Sequence, residues 1–464
     1  MKIRQAIVVI HGMGEQRPND ILRDFVRTAI SKSDSVTNEG PSIFLRPDKV
    51  SGSYDSLRFQ SYSSNCHSQT EFYEYHWAHH MAGNKLVHLW PLIKRLLFRL
   101  RVPKRLIPIW LLLVLFTITT FCTIVWTIIR GGELGLPGIL GEIGLSIFAV
   151  SLIILSLMPI NYWFTHYLTD VARYLDASPS NQDNRDAIRK GLIELLTDLH
   201  NTDRYSRIII AAHSLGSIIA YDAITYLWAR MNKLHKIEPI IPEFKELKKV
   251  EDIGGDLEIL KEDPVATKHL RELYQESQRN AWIEKRLTGN PWLITDLITF
   301  GSPLAHAQIL MATNKKNLRE KQDMFEIPRC PPVKEPFAHN KWDGDTWYSW
   351  RNSQHHRIIY HAAPFAIVRW TNLWFQSDWF AGPLSSYFGY GINDLKLHNG
   401  PLRTRIPLWA HTQYFKYCKE NEPPEFIRQI RMKLDLKADN WLGRVNTFLA
   451  PKPDSVTQDD TGIL

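Results

Sequence analysis

Residues 208–224, IIIAAHSLGSIIAYDAI, set a serine between a β-branched apolar run and a helix-forming one. A strand that ends in a tight turn with serine at its apex, followed at once by a helix, lifts the hydroxyl clear of the backbone as a nucleophile. Small residues must flank that serine, because the turn is strained and other backbone passes close by. Around Ser214 the need is met by Ala212 and Gly216, with His213 and Leu215 between them and the serine. At a helix N-terminus, Ser214 also faces backbone N–H groups that favour developing negative charge. The bland alternative is an ordinary serine in a strand-to-helix turn.

A second group lies near the start, in IVVIHGMG at 7–14. An apolar strand ending in His11-Gly12 presents backbone N–H groups at the carboxyl edge of a sheet, where sites collect. If the N–H groups of Met13 and Leu215 converge, they form an oxyanion hole. Gly12 and Gly14 allow the backbone to come close, and His11 reads as structural. Apolar runs at 5–10, 207–212, 293–300 and 364–373 read as strands, several followed by helix-like segments. Together they predict an α/β protein with a mostly parallel sheet covered by helices on both faces.

IVVIHGMG, IIAAHSLGS, ITFGSPL, a late Asp and a late His together resemble lipase/esterase-type serine hydrolases of the α/β-hydrolase fold. The resemblance covers about 1–30, 165–230 and 290–430. One departure is Ala212, where the family's pattern begins with glycine. In that family the chain order is nucleophile, acid, base. The resemblance then implies Ser214 as nucleophile, Asp378 in RWTNLWFQSDWFAGPL as acid, and His411 in PLWAHTQYF as base. Asp394, Asp343 and Asp345 are rival acids, and His398 is a rival base. The implied activity is carboxylic ester hydrolysis through an acyl-enzyme, with no cofactor and no metal. The same triad serves thioesters and amides, and a non-catalytic scaffold can reuse the fold for binding.

Two runs interrupt this pattern. Residues 106–129 and 143–164 contain no charged residue, and a Gly-rich link joins them. Each is long enough to cross a bilayer as a helix, which takes about 20 residues. The expectation is a multi-pass membrane protein with a two-helix transmembrane hairpin. Lys94, Arg95, Arg99, Arg101, Lys104 and Arg105 precede the first run, which places both termini and the catalytic part in the cytoplasm. On this reading the partners are the lipid bilayer and a lipid or acyl-ester substrate. A pair of buried core helices is the competing reading.

The expected organisation is 1–90 as the first part of the hydrolase domain and 91–165 as basic flank and hairpin. The core with the elbow follows at 166–230, a charged helical insertion at 231–290, the core with acid and base loops at 291–450, and a disordered tail at 451–464. The insertion reads either as a solvated helical pair or as a cap-like lid over the serine. Net charge is +8, from 56 Lys+Arg against 48 Asp+Glu, and the basic cluster before 106 suits a membrane surface better than nucleic acid. Four scattered cysteines without a CxxC pair argue against a disulfide framework or a zinc site. His76, His79 and His80 have helical ligand spacing, but their setting EFYEYHWAHHM reads first as an aromatic strand. The N-terminus is not expected to be a signal peptide, since no small-residue cleavage site follows its short apolar run.

Overall fold

The computed structural model describes residues 3–13, 17–29, 42–47, 57–62, 68–81, 102, 104–131, 169–175, 179–234, 245–335, 347–351, 357–398, 400–407, 409–416 and 424–436. Within them the chain builds an eight-stranded sheet and a separate two-stranded hairpin. The strands are β1 (Ile3–Ile10), β2 (Ser42–Pro47), β3 (Leu57–Tyr62), β4 (Ser68–Tyr75), β5 (Arg207–His213), β6 (Ile294–Phe300), β7 (Ser349–Arg351), β8 (Arg357–Ile359), β9 (Arg369–Trp374) and β10 (Asn393–Lys396). The large sheet runs β10-β9-β6-β5-β1-β4-β3-β2. The pairings from β10 through to β4 are parallel, and β3 and β2 continue antiparallel. The architecture is α/β, as the apolar runs require.

Both faces of the sheet are covered. Along β1, Ala6, Val8 and Ile10 enter one core while Ile7 and Val9 enter the other. Successive strand side chains point to opposite faces, so a strand apolar at every position must be buried on both. On the side of Ile7 and Val9 lie α1 (Asp20–Ala29), through Leu22, Phe25 and Val26, and a late helix, Glu425–Leu434, through Phe426, Ile427 and Ile430. On the other side pack Pro179–Asn201, through Leu192 and Leu196, and Leu215–Met231, through Ile218, Ile219 and Leu227.

This arrangement fixes where a site forms. The helix after β1 lies on one face, and the helix after β5, its neighbour in the sheet, lies on the other. The two helices therefore leave the carboxyl ends of β1 and β5 toward opposite faces, the point of an open α/β sheet where sites collect. The opposite edge is closed by charge. Arg207, at the start of β5, donates to Gln5 Oε1 (2.8 Å) and to the Asp435 carbonyl (2.6 Å). Asp296 of β6 lies 3.7 Å from Arg207 and 2.6 Å from Arg369 of β9, so buried charges of both signs tie the amino edge together.

The membrane expectation is corrected. The first apolar run forms a helix, Ile107–Gly131, entered through a short 3-10 turn, Lys104–Leu106. The second run, 143–164, lies outside the described residues. Among the described residues no helix is long and apolar enough to cross a membrane. A hairpin needs two complete crossings, each with about 20 apolar side chains in unbroken succession. The described side chains do not supply even one, so the multi-pass localisation falls, and with it the cytoplasmic orientation. Leu111, Leu115, Ile118, Phe121 and Trp126 of the helix are exposed. In 231–290 the chain forms two helices, Lys245–Ile259 and Pro264–Leu287, which pack as a pair. Gln278 and Tyr274 of the second donate to the Phe365 carbonyl (2.6 and 3.2 Å), fastening it to the segment that feeds β9. Gly14, Asp343, Asp345, most of the basic flank and the tail 451–464 lie outside the described residues.

Glu74, near the end of β4, is buried and accepts the Asn19 N–H at 2.5 Å. Burial, with Asp20 adding to it, pushes its carboxyl from 4.5 up to about 7 against the pull of that hydrogen bond. The folded chain holds this proton more tightly than the unfolded one. Its contribution is complete below pH 4.5 and is lost as pH rises through about 7. Relative to Glu74→Gln, the wild type should lose about 3 kcal/mol across that window. Urea unfolding of both proteins between pH 4.5 and 7.5 checks this; parallel pH dependences would refute it.

Candidate active site

Ser214 follows the last residue of β5 and has φ 51° and ψ −127°, a left-handed backbone that costs a non-glycine residue about 1–3 kcal/mol. The strain is held from three sides. Its N–H donates to the Phe300 carbonyl of β6 (2.9 Å), and its carbonyl accepts from the Ser217 N–H (2.9 Å) and the Ser217 hydroxyl (2.6 Å). The Ser217 hydroxyl also meets Ser302 Oγ at 2.6 Å, linking the elbow to the turn after β6.

Two glycines let β1 and the elbow touch. A Cβ on Gly216 would lie 2.5 Å from the His11 carbonyl oxygen and 2.6 Å from that of Ile10. A Cβ on Gly12 would lie 2.7 Å from His213 Nδ1 and 2.8 Å from Ser214 Cβ. The chain leaving β1 thus passes directly over the serine, and Met13, the next residue, is buried there. Leu215 opens the helix after the serine, so its N–H belongs to the first turn, where donors have no intrahelical acceptor.

Asp378 and His411 arrive on the loops that follow β9 and β10. His411 Nε2 lies 2.7 Å from Ser214 Oγ, and its Nδ1 lies 2.9 Å from Asp378 Oδ2. All three residues are fully buried. An ionised carboxylate only accepts, so Nδ1 carries the proton and Nε2 presents its lone pair to the serine hydroxyl. Asp378 is ionised in this setting. Burial opposes its charge, but the His411 ring, the Tyr414 hydroxyl (2.8 Å, to Oδ2) and the Phe380 N–H (3.0 Å, to Oδ1) hold its carboxyl below the usual range. A serine whose hydroxyl donates to an imidazole oriented by a carboxylate can attack an acyl carbon.

Both motif histidines act beside the serine rather than on it. His213 Nε2 donates to the His411 carbonyl (2.8 Å), fixing the backbone that carries the imidazole. Burial, reinforced by the facing His411 ring, pushes His213 down to about 3, so it stays neutral. His11 stacks on Trp77 with rings 7° from parallel, donates from Nδ1 to the Gly12 carbonyl (2.7 Å) and accepts the Trp77 N–H at Nε2 (3.2 Å). Burial likewise pushes it down to about 3.

The rivals sit elsewhere. Asp394 lies in β10 and gives its oxygens to the Leu384 and Ser385 N–H groups and to Asn372 Nδ2 (2.7 to 3.0 Å). His398 is exposed. His76 stacks on His79, His80 lies tilted against His79, and among the described residues no group of three or more His, Cys, Asp or Glu is placed to hold a metal. Tyr414 escaped the sequence reading, although it stands three residues after His411 in AHTQYF. Gly301 escaped too. With φ +59° it leaves room for Tyr414, whose Cε2 would lie 2.7 Å from a Cβ there.

No known protein family, curated protein or solved structure matches this chain.

The close approach at Gly216 makes a prediction. Gly216→Ala forces backbone apart and should cost about 1–3 kcal/mol in urea unfolding. Gly255→Ala, in the helix Lys245–Ile259 where a Cβ meets open space, should be neutral or stabilising by up to about 1 kcal/mol. Equal costs at the two positions would refute the contact argument.

Proposed function

We propose that the chain is a serine hydrolase of the α/β-hydrolase type that cleaves carboxylic esters through an acyl-enzyme. The observation that carries this reading is the continuous hydrogen-bonded line Ser214–His411–Asp378, built on a strained turn at the carboxyl ends of β1 and β5. His411 Nε2 takes the hydroxyl proton as Ser214 Oγ attacks the ester carbon. The imidazolium that forms lies against the Asp378 carboxylate, and Tyr414 keeps that carboxylate charged. The oxyanion is met by the Leu215 and Met13 N–H groups. His411 then passes its proton to the departing alkoxide. Water enters and attacks the acyl carbon as it loses a proton to the same nitrogen; the bond to Ser214 Oγ then breaks, His411 returns that proton to Oγ, and the acid is released.

For the substrate we propose a lipid or other long-chain acyl ester. The exposed apolar side chains Leu111, Leu115, Ile118 and Phe121 favour an amphiphile over a small polar ester. They belong to a helix that is entered through a 3-10 turn bonded to the acid loop by Arg105.

A fluorophosphonate probe phosphonylates an activated serine and needs no knowledge of the substrate. Wild type should label, while Ser214→Ala and His411→Ala should not, and Asp378→Asn should label roughly 10³- to 10⁴-fold more slowly. A folded wild type that stays unlabelled, with and without detergent, would sink the hydrolase reading. A p-nitrophenyl ester series from two to sixteen carbons, run beside matched acyl thioesters, tests the substrate. Rates that rise with chain length support the amphiphile; preference for acetyl refutes it, and faster turnover of thioesters moves the bond.

A further inference from the structure

The acid Asp378 sits on a turn, and that turn is held by side chains from distant parts of the chain. The Asp378 N–H donates to the Phe375 carbonyl at 3.2 Å, and the Ala381 N–H reaches the Asp378 carbonyl at a long 3.4 Å. Other carbonyls of the turn take side-chain partners, as buried backbone groups must. Asn372 Nδ2 donates to the Gly382 carbonyl (2.9 Å), and His306 Nε2 donates to the Trp379 carbonyl (3.1 Å). The last partner comes from the segment that carries the apolar helix. Arg105 Nη1 donates to the Ala381 carbonyl at 2.7 Å and to the Asp378 carbonyl at 3.3 Å.

The setting of Arg105 is built for it. Its guanidinium carbon lies 4.3 Å from the centre of the Trp374 ring, at the end of the strand that leads to the acid. Gly382 leaves the space its side chain fills, since a Cβ there would lie 3.1 Å from Arg105 Cδ and Nε. One guanidinium nitrogen, Nη1, therefore grips both ends of the turn while the flat group lies over the ring before it. Lysine cannot do both, because its ammonium is a point donor without a planar face.

We infer that Arg105 is a positioning residue for the acid: it clamps the 378–381 turn so that the Asp378 carboxylate meets His411, and it makes the start of the apolar helix part of the hydrolytic machinery. The inference rests on the hydrolase reading above. Asp378 Oδ2 has to meet His411 Nδ1 and the Tyr414 hydroxyl at once. Slack in the turn would misalign an imidazole that must accept a proton within one hydrogen bond of the serine.

The test combines labelling kinetics with hydrogen exchange on the full chain. Arg105→Ala should lower the saturating fluorophosphonate rate roughly 10- to 100-fold while leaving the half-saturating probe concentration within about twofold. Arg105→Lys should recover only part of the rate. In the Asp378→Asn background, adding Arg105→Ala should slow labelling no further than about twofold, because both changes break one unit. Amide exchange of the peptide containing 376–382 should accelerate in Arg105→Ala and less in Arg105→Lys. Wild-type labelling by Arg105→Ala, multiplying effects in the double variant, or unchanged exchange at 376–382 would each overturn the inference. If wild type itself does not label, the hydrolase reading fails separately, and exchange at the turn still decides whether Arg105 clamps it. Should Arg105→Ala not fold, Arg105→Lys carries the same comparisons.

Discussion

The closeness with which the chain leaving β1 passes over the turn at Ser214 constrains everything around it. Backbone oxygens of Ile10 and His11 lie where a Cβ on Gly216 would stand, and His213 and Ser214 lie where one on Gly12 would. Two glycines therefore set the distance between neighbouring parallel strands at their carboxyl ends. The parallel ladder joins the two strands as far as Ile10 and Ala212, and beyond it, where the following helices turn to opposite faces, the close approach at the glycines continues the contact. The strained φ of Ser214 follows from the same constraint: the chain has to reverse within one residue to enter its helix beneath β1's exit. His11, stacked on Trp77 and bonded to Gly12, then secures that exit.

A second constraint is the burial of a carboxylate. An ion removed from water needs compensation at each oxygen. At Asp378 this comes from an imidazole, a phenol and a backbone N–H, all supplied by 380–414. The phenol is in turn fixed by the Phe375 N–H, so the acid, its ligands and the strand end form one hydrogen-bonded body. Around it, Arg105, His306 and Asn372 satisfy the carbonyls of the turn. A charged amino edge, with Arg207, Asp296 and Arg369, holds the strands in register at the far end of the sheet.

The limits of the sequence are seen in particular residues. A charge-free run suggests a membrane because lipid and protein interior both ask for apolar side chains; composition does not say which is present. Arg105 was legible only as one of six cations before that run. Its stacking on Trp374 and its grip on the acid turn join positions separated by more than 260 residues, and no local pattern encodes such a pair. Tyr414 and His213 are similar cases, since their partners, Asp378 and the His411 backbone, are neighbours only after the sheet has formed.

The sequence by itself determined the local elements: apolar β-branched runs at 5–10, 207–212 and 293–300, small residues around Ser214, and glycines after β1. Those features depend on propensity, periodicity and the space a Cβ occupies, all of which act within a few residues. The choice between Asp378 and Asp394 was open on residue type alone, since both are aspartates that follow β9's strand-like run. The resemblance put Asp378 first, and the tertiary structure gave the physical ground, by committing the Asp394 oxygens to backbone N–H groups and turning the Asp378 carboxylate toward His411. An aspartate's role is set by which donors reach its oxygens, and those donors come from elements that the sheet order, not the neighbouring sequence, brings together.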